Sequence, residues 1–136
     1  MDFKLLAKAL GRIGSAYSQK GDLASAKKYF QKSLAEHRDA TILAKLQATE
    51  KAIVEVERQA YIDPVKSATA REEGNVAFKA GDFAGAVKIY TESIKRDPSD
   101  ARGYNNRAAA YLKLLAPAEA LKDANEAIKV DPSFGM

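Results

Sequence analysis

The sequence predicts an all-α fold, a stack of helical hairpins. Segment 67–100 aligns without a gap on segment 101–134, and segment 7–40 fits the same 34-residue template. A period of that length marks an architecture of stacked two-helix units. Helix breakers fall at matching places, with Gly21-Asp22 and Gly81-Asp82 inside two copies and Pro98 and Pro132 closing two. A 26-residue spacer separates the first copy from the second and carries apolar residues at helical spacing.

In the first copy, helix A runs through Gly14 and Tyr17, turns at Gly21-Asp22, and is followed by helix B with Ala26 and Phe30. The spacer is expected to form a seventh helix over 39–60. Its stripe of Ile42, Leu43, Leu46, Ile53 and Val56 would cover the open end of the first repeat, as a capping helix does. Tyr61-Ile62-Asp63-Pro64 then breaks it, because a residue before proline disfavours the α region. The second copy turns at Gly81-Asp82, and Pro117 opens helix B of the third, in the first turn where proline is tolerated. The expected organisation is 1–60 as one repeat with its capping helix, 61–66 as a boundary, and 67–136 as the first two repeats of a following, incomplete module. The outer face of the third repeat, with no polar cap expected, should expose apolar residues and seek a partner.

The 136 residues contain no cysteine and a single histidine, His37. Disulfide frameworks, thiol nucleophiles and histidine-rich metal centres are thereby excluded, and an intracellular address follows as the default. No apolar run approaches the length of a membrane span, and the N-terminus, interrupted by Lys4, Lys8 and Arg12, lacks the core of a signal peptide. The formal charge of +4 favours anionic partners weakly. Glu72-Glu73 has no second convergent carboxylate or histidine at catalytic reach, so an enzyme is not expected, nor a cofactor. Gly11-x-x-Gly14 looks like a nucleic-acid-binding loop but sits inside a helical period. Tyr29 beside Lys27 and Lys28, and Tyr104 near Arg102 and Arg107, read as repeat-core aromatics before nucleic-acid contacts.

Each copy resembles the tetratricopeptide repeat. Ile13-Gly14, Tyr17, Ala26 and Phe30 carry the resemblance in the first; Gly74, Ala86, Tyr90 and Pro98 in the second; Tyr104, Tyr111, Ala120 and Pro132 in the third. Small residues at Gly14, Gly74 and Ala108 let helix A approach helix B, and aromatics fill the remaining gap. The second copy departs with Ala77 where tyrosine is usual, the third with Ala108 for glycine and Ala124 for the later aromatic. The resemblance implies a right-handed solenoid of three repeats whose A helices line a peptide groove. Lys8 and Arg12 stand at i and i+4 on the first A helix, able to address one anion; a solvated basic face is the alternative. Arg71 and Asn75 share that spacing on the second, and Asn106 lies on the third. An asparagine amide donates to a carboxylate and accepts from a peptide N–H, which suits binding to a main chain.

Together these residues are similar to the dicarboxylate clamp of heat-shock co-chaperones. The strings GRIGSAY, QKSLAEHR, QAYIDP, SIKRDPSD and YNNRAAAYLKLL resemble the heat-shock organising co-chaperones across essentially the whole chain. The resemblance implies a cytoplasmic adaptor without catalysis that holds the Glu-Glu-Val-Asp tails of the 70-kDa and 90-kDa heat-shock proteins. Lys8 and Arg12 would close one clamp; Arg71, at a position more often lysine, with Asn75 and Asn106 would open the next. Because each set is half a site, self-association through the uncapped repeat end is a further expectation. A generic repeat scaffold without a clamp and a helical-repeat nucleic-acid binder are the rival readings.

Overall fold

An aspartate stands at the start of six of the seven helices, and in each case its carboxylate accepts a backbone N–H of the first turn. Asp2 takes Leu5, Asp22 takes Ser25, Asp39 takes Thr41 and Ile42, Asp63 takes Val65 and Lys66, Asp82 takes Gly85, and Asp100 takes Arg102. Such a cap satisfies a donor that the helix cannot satisfy itself. In a computed structural model that describes residues 1–135, the helices are α1 Phe3–Gln19, α2 Leu23–Glu36, α3 Ala40–Tyr61, α4 Pro64–Lys79, α5 Phe83–Arg96, α6 Ala101–Lys113 and α7 Pro117–Val130, followed by a 3-10 turn over Pro132–Gly135. No strand occurs among the described residues, and no helix there is long and apolar enough to cross a membrane. The chain divides into two compact units, the first Met1–Ala60 and the second from Tyr61 onward.

In the first unit α1 packs on α2, and Ala26, Phe30 and Leu46 form a core completed by Tyr17, Leu34 and Ile42. Gly14 permits this contact, since a Cβ there would meet the Phe30 ring at 2.7 Å. The Ser33 hydroxyl, wholly buried, donates to the Ala7 carbonyl at 2.7 Å and ties helix B to the second turn of helix A. The spacer helix covers the hairpin as expected through Ile42, Leu46 and Thr49, with Ile53 half-buried. Two members of the expected stripe do not take part. Leu43 is exposed because it lies one helical step off the buried face. Val56 is exposed because a 22-residue helix outruns the 14- and 17-residue helices beneath it.

The second unit repeats the scheme. Ala86, Tyr90 and Ala110 form its core with Ala77, Phe78 and Val87, and Phe78 meets Phe83 edge-on at 5.1 Å. At Gly74 a Cβ would lie 2.4 Å from the Tyr90 ring. Ser67 and Ser93 each donate to the other's carbonyl, at 2.7 and 2.8 Å, the counterpart of the Ser33 bond one repeat earlier. In the third repeat Ala108 and Ala124 stand at the registers of Gly74 and Tyr90, so the departures noted in the sequence offset each other: a methyl is added where a ring is removed.

Helix A of the second repeat begins at Pro64, inside the expected boundary, leaving only Ile62 and Asp63 between helices. Within the second unit, the residues that lead into α4 are tightly bonded to the end of α5. The Arg96 guanidinium lies 3.6 Å over the Tyr61 ring and donates to the Tyr61 carbonyl at 3.0 Å, while the Asp63 N–H donates to the Arg96 carbonyl at 2.7 Å. The Tyr61 hydroxyl donates to Glu92, and this bond holds the Tyr61 phenol above its ordinary pKa and the Glu92 carboxyl below its own.

The turns show one asymmetry. Gly21 and Gly81 adopt φ of +83° and +82°, the left-handed conformation that glycine takes without cost. The equivalent residue in the third repeat is Leu115, at φ 59° and 88% exposed, and it is followed by Ala116, which caps α7 with no side-chain bond. The outer face of α7 exposes Leu121 and Ile128, at the registers of the half-buried Val87 and the buried Ile94.

Candidate functional site

Within the first unit a groove of about 540 Å³ opens over α1, lined by Lys4, Lys8, Arg12 and Ser15 on that helix and by Ile42 and Lys45 on α3. Residues 4, 8, 12 and 15 recur at helical spacing and share one face. Lys8 and Arg12, both exposed, therefore project into one groove as the spacing predicts, and among the described residues neither enters an ion pair. A backbone without a side chain at Gly11 makes room for α3: a Cβ there would sit 2.8 Å from the Ile42 Cδ1. Such a groove offers two flexible cations above a partly apolar floor, suited to an anionic, extended ligand.

The second unit brings Asn75 and Asn106 together. The Asn106 amide donates to the Asn75 Oδ1 at 3.4 Å, and the Tyr90 hydroxyl donates to the same oxygen at 2.6 Å. With its oxygen so engaged, the Asn75 amide keeps its two N–H groups as its remaining hydrogen-bonding capacity. Arg71 is placed differently. Its guanidinium pairs with Asp100 at 3.1 Å, with both side chains largely buried, so it is not the open cation that the i, i+4 spacing suggests. Asp100 also receives Arg102 at 2.8 Å, and this bond above all, with further help from Arg71, holds its carboxyl below the usual carboxylate range. Arg107 binds the buried Asp123 through two bonds of 2.7 Å and reaches the Thr91 hydroxyl at 3.1 Å, and the Asp123 carboxylate raises its pKa further.

Sequence reasoning missed three participants. The Tyr90 hydroxyl stands where the first repeat has Phe30, so the difference between two aromatics was the available signal. Asp123 stands where the second repeat has Ile89, a carboxylate at an apolar register, which could have flagged a buried pair with Arg107. Lys45 lies on the spacer helix, whose apolar stripe signals only a covering role. Among the described residues no cluster of histidine, aspartate and glutamate could hold a metal ion.

Tetratricopeptide-repeat profiles match residues 7–36 and 71–133. The chain is 56% identical to a heat shock protein sti1 homolog of Schizosaccharomyces pombe and 48% identical to Hsp70-Hsp90 organizing protein 3 of Arabidopsis thaliana, covering 98% of this chain in each case. It spans 22% and 25% of those proteins, about a quarter of their length. Among solved structures, the TPR2AB domain of yeast Sti1 in complex with pHSP90 superposes with a TM-score of 0.95 at 51% identity, over 98% of this chain and 52% of that one. The second TPR of Spaghetti (RPAP3), bound to the HSP90 peptide SRMEEVD, is 35% identical over 57% of this chain and 69% of its own, with a TM-score of 0.51.

Proposed function

Because the chain belongs to the tetratricopeptide-repeat family, in its heat-shock organising group, we propose that it is a cytoplasmic adaptor, without catalysis, that captures acidic C-terminal tails of the 70-kDa and 90-kDa heat-shock proteins. The observation that carries the reading is the pair Lys8 and Arg12, exposed on one face of α1, free of any ion pair among the described residues, and lining a groove of about 540 Å³. A C-terminal aspartate offers two carboxylates, and charge-assisted hydrogen bonds are the strong ones. Asn75, with its oxygen engaged by Tyr90 and Asn106, would hold main-chain groups of a second tail, and Arg71 would act through Asp100 rather than on the ligand. The two units would then belong to consecutive repeat modules, divided near Tyr61.

Calorimetric titration tests this with the heptapeptide Ser-Arg-Met-Glu-Glu-Val-Asp and its C-terminal amide. Amidation, and separately the double variant Lys8→Ala/Arg12→Ala, should each weaken binding by about tenfold or more. Equal binding of acid and amide would favour a generic repeat scaffold, and no binding by the folded chain would reject the reading.

A further inference from the structure

We propose that Lys45, on the spacer helix, is a binding residue of the first unit's groove that meets carboxylates upstream of the C-terminal residue, so that this groove selects tails carrying several acids. The inference rests on the tail-binding reading above and assigns α3 a second role beyond covering the hairpin.

The groove has two walls, and Lys45 stands on the one opposite Lys8 and Arg12. Its ammonium donates to the Ser15 hydroxyl at 3.2 Å, which holds it toward α1, three residues beyond Arg12 on the same helix face. An ammonium has three donors, so one bond to Ser15 leaves two for a ligand. Ser15 occupies the register at which the second unit has Asn75. Where one unit offers a fixed amide, the other offers a hydroxyl that holds a cation brought in from a different helix.

The two acids that also line the groove keep their charge but pair with none of its four cations. Asp2 and Asp39 are engaged as helix caps, Asp2 with the Leu5 N–H at 3.0 Å and Asp39 with Thr41 and Ile42 at 2.7 and 3.2 Å. Among the described residues Lys4, Lys8, Arg12 and Lys45 enter no ion pair. The charge of the whole chain points the same way: residues 1–60 carry eleven basic against seven acidic side chains, and the remainder carries eleven of each. The entire surplus of four therefore lies in the unit that holds this groove. Four cations on two walls exceed what one terminal aspartate needs, and further carboxylates along the same peptide are the ligand groups that complement them.

The test compares two heptapeptides with identical termini, Ser-Arg-Met-Glu-Glu-Val-Asp and Ser-Arg-Met-Gln-Gln-Val-Asp, titrated into the full chain and into Lys45→Ala and Lys45→Arg. Lys45→Ala should weaken the Glu peptide by about two- to fivefold, the range of an exposed ion pair. It should leave the Gln peptide within twofold, and Lys45→Arg should restore the preference for Glu. Added salt should shrink the difference. Equal losses for both peptides, or none, would overturn the role of Lys45 while leaving tail capture intact. Failure of the unmodified chain to bind either peptide would sink the reading and the inference together.

Discussion

Replacing Leu115 by glycine and Ala116 by aspartate should stabilise the third repeat, by an amount set by its two sister turns. Gly21 and Gly81 adopt the left-handed conformation and are followed by aspartates that cap the next helix, Asp22 on Ser25 at 3.1 Å and Asp82 on Gly85 at 2.9 Å. Leu115 holds the same conformation against its Cβ, at a cost of about 1–2 kcal/mol for an L residue. Glycine removes that strain but adds freedom to the unfolded chain, leaving a net gain of about 0.5–1 kcal/mol. Leu115 is 88% exposed, so its side chain leaves little packing behind. A cap at Ala116 contributes about 1 kcal/mol more, and Asp63 before Pro64 shows that an aspartate caps well in front of a proline. The double variant should therefore gain about 1.5–2 kcal/mol, which slows amide exchange in α7 roughly tenfold or more where exchange follows unfolding of that helix. Hydrogen exchange read residue by residue is the assay. Unchanged or faster exchange in α7 would refute the idea that the three turns are energetically equivalent apart from these two side chains.

Gly74→Ala should destabilise by about 1–3 kcal/mol, since its methyl would stand 2.4 Å from the Tyr90 ring. The double variant Gly74→Ala/Tyr90→Ala should cost less than the sum of its singles in urea melts, because it recreates the pairing of Ala108 and Ala124. Asp123→Ala should cost about 3 kcal/mol by leaving the mostly buried Arg107 without its carboxylate, again read in urea melts. Asp100 has its pKa lowered in the folded state by Arg102 and Arg71, so its contribution is present above the ordinary aspartate range and is lost as pH falls through the depressed folded value. Thermal melts between pH 6 and pH 2, over roughly the carboxylate range, should accordingly show a smaller acid loss in Asp100→Asn than in the unmodified chain.

The period, the glycine turns and the apolar spacing made the hairpins legible, because each depends on side-chain size or backbone freedom that a single sequence displays. Phe30 and Tyr90 were readable as core for the same reason, as was the shared face of Lys8 and Arg12, which follows from helix geometry alone. What escaped depended on which group wins a competition in three dimensions. Arg71 has the spacing of a groove cation, yet Asp100, 29 residues on, captures it. The stripe on α3 was overdrawn because periodicity says which residues share a face but not how far the partner helix extends. Lys45 drew no notice because its value lies in an opposing helix, and no local pattern marks that.

The exposed face of α7 has the character of a growth front. It presents Leu121 and Ile128 at the registers that α6 covers or half-covers on α5, where Gly103 admits Ile94 so closely that a Cβ would lie 2.9 Å from it. Any further hairpin whose first helix carries a small residue at that register meets the surface it needs already formed. The 34-residue unit is in this sense a template for its own successor, and an added consensus hairpin should fold onto α7 without any redesign of the helices beneath it.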